Sequence, residues 1–270
     1  MADQPAQVTS VSAIDANGAS QRVGSVSLVT GSDRDGAKYA TDTVELAVSW
    51  DGSDDTDYIQ VPVGDEFFKN GSTTVVEDQD QYGNRILIVE NESMGRRLYL
   101  PPEGSDVFVG ALSSNHDENF VTHAIFGRET LAEEIANVKD GFRFQGWAEA
   151  SVVATDADGG PGRSGTYRGA SGGHVDFVNG DFGLAATLRQ NPESRESFGV
   201  QAWGTVTADG ELIDTEAAFI NARRDGEQFE GVFDGQVYGP EATHVGGTFS
   251  GNIDDEMGSA SIVGQMLLGR

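Results

Sequence analysis

The sequence predicts an all-β protein: a β-rich handle domain over residues 1–126 and an eight-stranded antiparallel up-and-down barrel over 127–270, with one short helix between them. Three observations lead there. Apolar residues recur with a period near 2, the mark of half-buried strands. Glycine is frequent at 36 residues and proline sparse at 7, which suits many strands and tight turns better than long helices. In the C-terminal half eight such segments are separated by short turn signals, so successive strands pair as antiparallel hairpins, and closing the sheet removes its edges.

The handle strands begin at Arg22 ("RVGSVSLVT"), Thr43 ("TVELAVSW"), Tyr58 ("YIQVPV"), Asn84 ("NRILIVE"), Arg96 ("RRLYLP"), Asp106 ("DVFVGAL") and Phe120 ("FVTHAIF"). Acidic loops divide them, and the boundary falls near Gly127. In "FGRETLAEEIANVKDG", Thr130 followed three residues later by Glu133 forms a capping box, and Leu131 and Ile135 share a helical face. The spacing predicts a helix from about Thr130 to Val138.

The barrel strands follow. Phe142, Phe144, Gly146, Ala148, Ala150 and Val152 share one parity, and Val175 and Phe177 end the interrupted "GTYRGASGGHVDFV". Next come Leu184 to Leu188, Val200 to Val206, and a strand read with Ala218, Ile220 and Ala222 inward. Phe229 to Val237, Val245 to Ile253 and Ile262 to Leu268 complete the set. A small barrel must fill its interior without overpacking, and alternating large and small residues does this. Phe229, Phe233 and Phe249 are therefore expected inside, with the intervening glycines making room. The outward set of one strand, Glu230, Val232, Asp234 and Gln236, is mostly polar, unlike a lipid-facing wall.

Composition excludes several functions. Acidic residues outnumber basic ones 44 to 17, for a net charge of −27, which repels nucleic acid and anionic membranes. A solvated surface and adaptation to salty water both account for that charge. With no cysteine, neither a disulfide nor a thiolate site can form. No apolar run has the length of a membrane helix, so membrane insertion is not expected. The N-terminus shows no signal peptide, and both a trimmed exported chain and a native start fit it. Walker, dinucleotide, HExxH and GxSxG signatures are missing, and the chain is read as a non-enzyme. Asp33 and Asp35, and Asp51 and Asp55, are candidate calcium ligands, although Asp-Gly turn chemistry also accounts for them and no loop completes the EF-hand pattern.

The stretch "FEGVFDGQVYGPEATHVGGTFSG" resembles the terminal signature of the transferrin-binding protein B family. The matching residues are Tyr238, Gly239, Pro240, Glu241, Gly246, Gly247, Thr248 and Phe249, with Val237 where the family has an aromatic. Tyr238, Gly239, Pro240, Gly246 and Gly247 are read as a structural corner, since Pro240 has no N–H to donate inside a paired strand. The resemblance covers 126–270 and implies a handle and barrel exposed on the outer surface of a Gram-negative bacterium or released from it. It further implies capture of haem or another iron source for an outer-membrane receptor or translocon; the chain is expected to act as a monomer. A host or envelope protein is the alternative partner, in an interaction module without a small ligand; a stand-alone structural β protein is a third reading. For haem, the axial candidates are His116, His123 and Met94, with Arg96 and Arg97 near the propionates. A plain surface role for each histidine stands beside that reading.

Overall fold

The computed structural model describes residues 129–270 apart from 157, 159–164, 194–196, 222–226 and 256–257, and, before them, strand backbone with a few side chains. The strands of the first part are β1 (Ser12–Ile14), β2 (Ser20–Arg22), β3 (Val26–Thr30), β4 (Ala40–Asp42), β5 (Ala47–Ser49), β6 (Tyr58–Val61), β7 (Glu66–Lys69), β8 (Val75–Gln79), β9 (Arg85–Asn91), β10 (Met94–Leu100), β11 (Val109–His116) and β12 (Phe120–Gly127). They form a five-stranded sheet in the order β2-β1-β5-β6-β7 and a seven-stranded sheet in the order β4-β3-β12-β11-β10-β9-β8. Each of the seven expected handle strands has a counterpart. β1, β2, β4, β7 and β8 were not expected.

The second part is a closed barrel of β13 (Gly141–Asp156), β14 (Gly165–Asp176), β15 (Asp181–Arg189), β16 (Ser197–Val206), β17 (Glu211–Asn221), β18 (Glu227–Tyr238), β19 (His244–Asp255) and β20 (Gly258–Gly269). Every neighbour is antiparallel, and β20 closes on β13 from Gln145 opposite Gly269 to Asp156 opposite Gly258.

Side chains fill the barrel interior. Phe144, Phe182, Phe219, Phe233 and Phe249 are each no more than 3% exposed and belong to one core. Their rings sit on glycines. A Cβ at Gly235 or Gly247, which face each other across β18 and β19, would meet the Phe233 ring at 2.6 or 2.7 Å. A Cβ at Gly231 or Gly251, another opposed pair, would collide with the Phe219 ring, and one at Gly264 would meet the Phe249 ring at 2.5 Å. The alternation of phenylalanine and glycine is thus a set of rings seated in glycine-sized hollows on neighbouring strands. This allows interior density without strain.

Two expectations need correction. In β17 the inward residues are Ala217 and Phe219 rather than Ala218 and Ile220; Phe219 lies opposite Val200 and Phe229. The third residue of that expected set, Ala222, lies outside the described residues. A register shift between Leu212 and Ala217, with Asp214 at φ 49°, inserts a residue and reverses the parity that Leu212 begins. The helix, α1 (Ala132–Ile135), is shorter than expected and is capped one residue later: the Leu131 N–H donates to Glu134 at 2.9 Å. Thr130 is unavailable as a cap because its hydroxyl donates to the Gly239 carbonyl at 2.7 Å.

Candidate functional site

The sequence-predicted residues fall in three places. The first is the seam where the seven-stranded sheet packs on the outer wall of β13, β20 and β19. There Tyr99, Val109, Ala111 and Ile125 from the handle form one apolar cluster with Tyr238 and Leu267 from the barrel. Trp147 joins them, its ring stacked on Tyr99 at 4.0 Å between centroids.

A polar cluster lies beside that apolar one. Glu149 is 1% exposed on the outward parity of β13 and accepts three hydrogen bonds: from Arg168 Nε at 2.6 Å, Ser113 Oγ at 2.6 Å and Tyr99 Oη at 3.0 Å. Two of the donors come from the handle and one from β14, so a single carboxylate ties β10, β11 and β14 to its own strand, β13. Burial raises its pKa, but the Arg168 charge and hydrogen bond, with His123 and Ser113, outweigh this and hold the carboxyl below its ordinary value.

His123 lies in the same seam. It stands opposite Ser113 in the β11–β12 ladder, is fully buried, and has Nε2 3.1 Å from Ser151 Oγ. Burial lowers its pKa to about 4, with Glu149 opposing and Arg168 assisting, so the ring is neutral at pH 7. Among the described residues, His123 Nδ1, Trp147 Nε1 and both amide atoms of Gln265 find no hydrogen-bond partner there.

The second place is the end of the β10–β11 ladder, where Met94 stands opposite His116. Arg96 and Arg97 follow, opposite Ser114 and Ser113. The fold therefore puts Met94, His116 and both arginines on two adjacent strands, with His123 on the next. The calcium candidates Asp33, Asp35, Asp51 and Asp55 lie outside the described residues, and no cluster of three or more metal-ligating side chains occurs within them.

The third place is the corner between β18 and β19. Gly239 has φ 78°, with Glu241 and Ala242 at 56° and 60°. Tyr238 is fully buried in the seam and Ala242 in the barrel core. The connector from the handle docks on this corner: Glu129 bridges to Tyr238, and the Thr130 N–H donates to the Val237 carbonyl at 3.1 Å. Gly246 packs close to the handle, since a Cβ there would come within 2.7 Å of the Met266 carbonyl and 3.4 Å of Ile125. His174 is exposed, with Nε2 3.7 Å from Asp181. His244 is largely buried, and burial lowers its pKa to about 4.

Sequence reasoning did not single out Glu149, Arg168, Tyr99, Ser113 or Gln265. One signal was available. "SIVGQMLL" in β20 carries large apolar residues on both parities, Ile262, Met266 and Leu268 on one and Val263 and Leu267 on the other, as a strand covered on both faces does. Val263, Gln265 and Leu267 are the outward residues buried by the handle.

No protein-family model matches the chain, and no match is found among curated proteins. Solved structures similar to it include transferrin binding protein B from Haemophilus parasuis, a double mutant, at 13% identity and TM-score 0.46, covering 93% of this chain and 46% of that one. Transferrin binding protein B from serogroup B Neisseria meningitidis matches at 15% identity and TM-score 0.47, covering 94% and 44%. HpuA from Kingella denitrificans, solved in complex with human haemoglobin, matches at 13% identity and TM-score 0.40, covering 90% and 84%. The chain thus spans less than half of the transferrin binding protein B chains and most of HpuA. The likeness is one of fold.

Proposed function

We propose that this chain is a surface-exposed binding protein that captures a host iron source, with the barrel as scaffold and the handle and loops as the binding part. The observation that carries the reading is the filled barrel interior. Five buried phenylalanines occupy the space in which a larger barrel would lodge a small ligand, so recognition is left to outer surfaces. The seam supports it as well, because the Glu149 cluster and the Tyr99–Trp147 stack hold the handle sheet firmly on that scaffold. The terminal motif supplies the iron-source class through its family resemblance, together with handover to an outer-membrane receptor and a location on the Gram-negative surface. Catalysis forms no part of this reading.

The test is interferometry on the immobilised full chain against human haemoglobin and transferrin, the proteins named for the similar structures. Saturable binding of one of them supports the proposal. Flat responses to both, and to free ferric haem, overturn it.

A second reading makes haem itself the ligand, and the pairing of Met94 with His116 favours it. Ferric haem would take one of them as axial ligand, with Arg96 or Arg97 beside the propionates. A sharpened Soret band at one equivalent, lost in His116→Ala or Met94→Ala, is the expected result. A spectrum matching haem mixed with an inert acidic protein sinks this second reading and leaves a protein partner as the ligand.

A further inference from the structure

The wall of the barrel opposite the seam has a different character. β16 and β17 stand opposite β20 and β13 in the ring order. The described residues include four exposed large hydrophobics, and three belong to β16, β17 and the turn before β15: Trp203 at 38%, Ile213 at 40% and Val178 at 66% exposure. Trp203 lies opposite Gly183 and Glu216, Thr205 lies opposite Asp181 and Ile213, and Val178 sits in the turn that leads into β15. The indole is held in place, because its N–H donates to Glu216 Oε2 at 3.0 Å.

The charge carried by the strands around these residues is mostly negative. Strands β15 to β18 carry seven acids, Asp181, Glu211, Asp214, Glu216, Glu227, Glu230 and Asp234, against one arginine, Arg189, and no lysine. Asp181, Glu211, Asp214 and Glu216 are exposed around the apolar residues. A tryptophan pinned by a hydrogen bond, one ladder step from an exposed isoleucine and rimmed by charge, has the anatomy of a small protein-binding patch. A chain of net charge −27 disfavours a second copy of itself on that rim, whereas a cationic partner is attracted to it.

From this geometry we infer that the outer face of β15–β17 docks a protein surface that presents an apolar side chain flanked by lysine and arginine. The apolar group inserts beside Trp203 and Ile213, and the cations meet Asp181, Asp214 and Glu216. This surface is separate from the seam and does not depend on the iron-source proposal.

The experiment titrates ¹⁵N-labelled full chain with a short peptide carrying Trp-Leu between Lys-Arg pairs. Two controls replace the flanks by Glu-Asp or the centre by Ser-Ser. The expected result is a set of shifts centred on the Trp203 indole and the Ile213 amide, weakened by added salt and absent with the acidic control. Trp203→Ser combined with Ile213→Thr, both at exposed positions, should weaken binding at least about tenfold. No shift at millimolar peptide, equal binding of the acidic control, shifts confined to the handle, or unchanged binding by the double variant would each overturn the inference. So would a dimer of the free chain in sedimentation that Trp203→Ser dissolves, since the occupant would then be a second copy.

Discussion

Replacing Arg168 by methionine leaves the Glu149 carboxylate buried with two neutral donors, Tyr99 and Ser113, and no cation. Breaking a fully buried ion pair costs about 3–5 kcal/mol, because the remaining charge is uncompensated. The Arg168 side chain is 44% exposed, so solvent screens part of its interaction and the cost falls below that range, to about 2–3 kcal/mol. In a chain of this size that corresponds to a fall in Tm of about 5–10 °C. Converting Glu149 to methionine as well removes the stranded charge, and the double variant should recover most of the loss. The assay is thermal and urea denaturation at pH 7 of wild type, both single variants and the double variant, analysed as a cycle. A Tm for Arg168→Met within 1–2 °C of wild type, or a double variant less stable than Arg168→Met, would refute the reasoning that this carboxylate joins handle to barrel.

The seam also predicts acid sensitivity. His123 titrates at about 4 when folded against an ordinary 6.5, so between those values the unfolded chain binds the extra proton and stability falls as pH is lowered. The loss from this residue is about 3 kcal/mol by pH 4, and His123→Asn should flatten that part of a stability–pH curve. Glu149, whose folded pKa is depressed, adds a loss that begins near the ordinary carboxylate range and runs to lower pH. Gly247→Ala should cost more than about 3 kcal/mol, since the added methyl would collide with the Asp234 carbonyl and lie 2.6 Å from Gly235 Cα and 2.7 Å from the Phe233 ring; chemical denaturation would show it. Thr130→Val removes the hydrogen bond to Gly239 and should cost about 1 kcal/mol, with amide exchange quickening at the corner rather than in the barrel strands.

Much of the barrel was legible because its rule is local: parity, glycine and turn residues each act on neighbouring positions. The seating of Phe233 over Gly235 and Gly247 follows from the alternation itself. β17 was misread because a bulge adds one residue, and nothing near Asp214 marks it in composition. The seam was illegible for a different reason. Glu149 looks like any outward acid on a half-exposed strand until the handle is laid over it, and Ser113 lies 36 residues away in sequence. His123 carried the opposite ambiguity, since one imidazole can serve as a ligand or as a buried neutral group. Its surroundings, Ser151 and the depressed pKa, are products of tertiary packing.

The most direct test of the iron-source account compares iron-loaded and iron-free forms of human haemoglobin and transferrin over the immobilised full chain. The account predicts saturable one-to-one binding of one of these proteins, tighter in its iron-loaded form. Binding of neither, or binding that ignores iron and vanishes for any protein of lower positive charge, would contradict it.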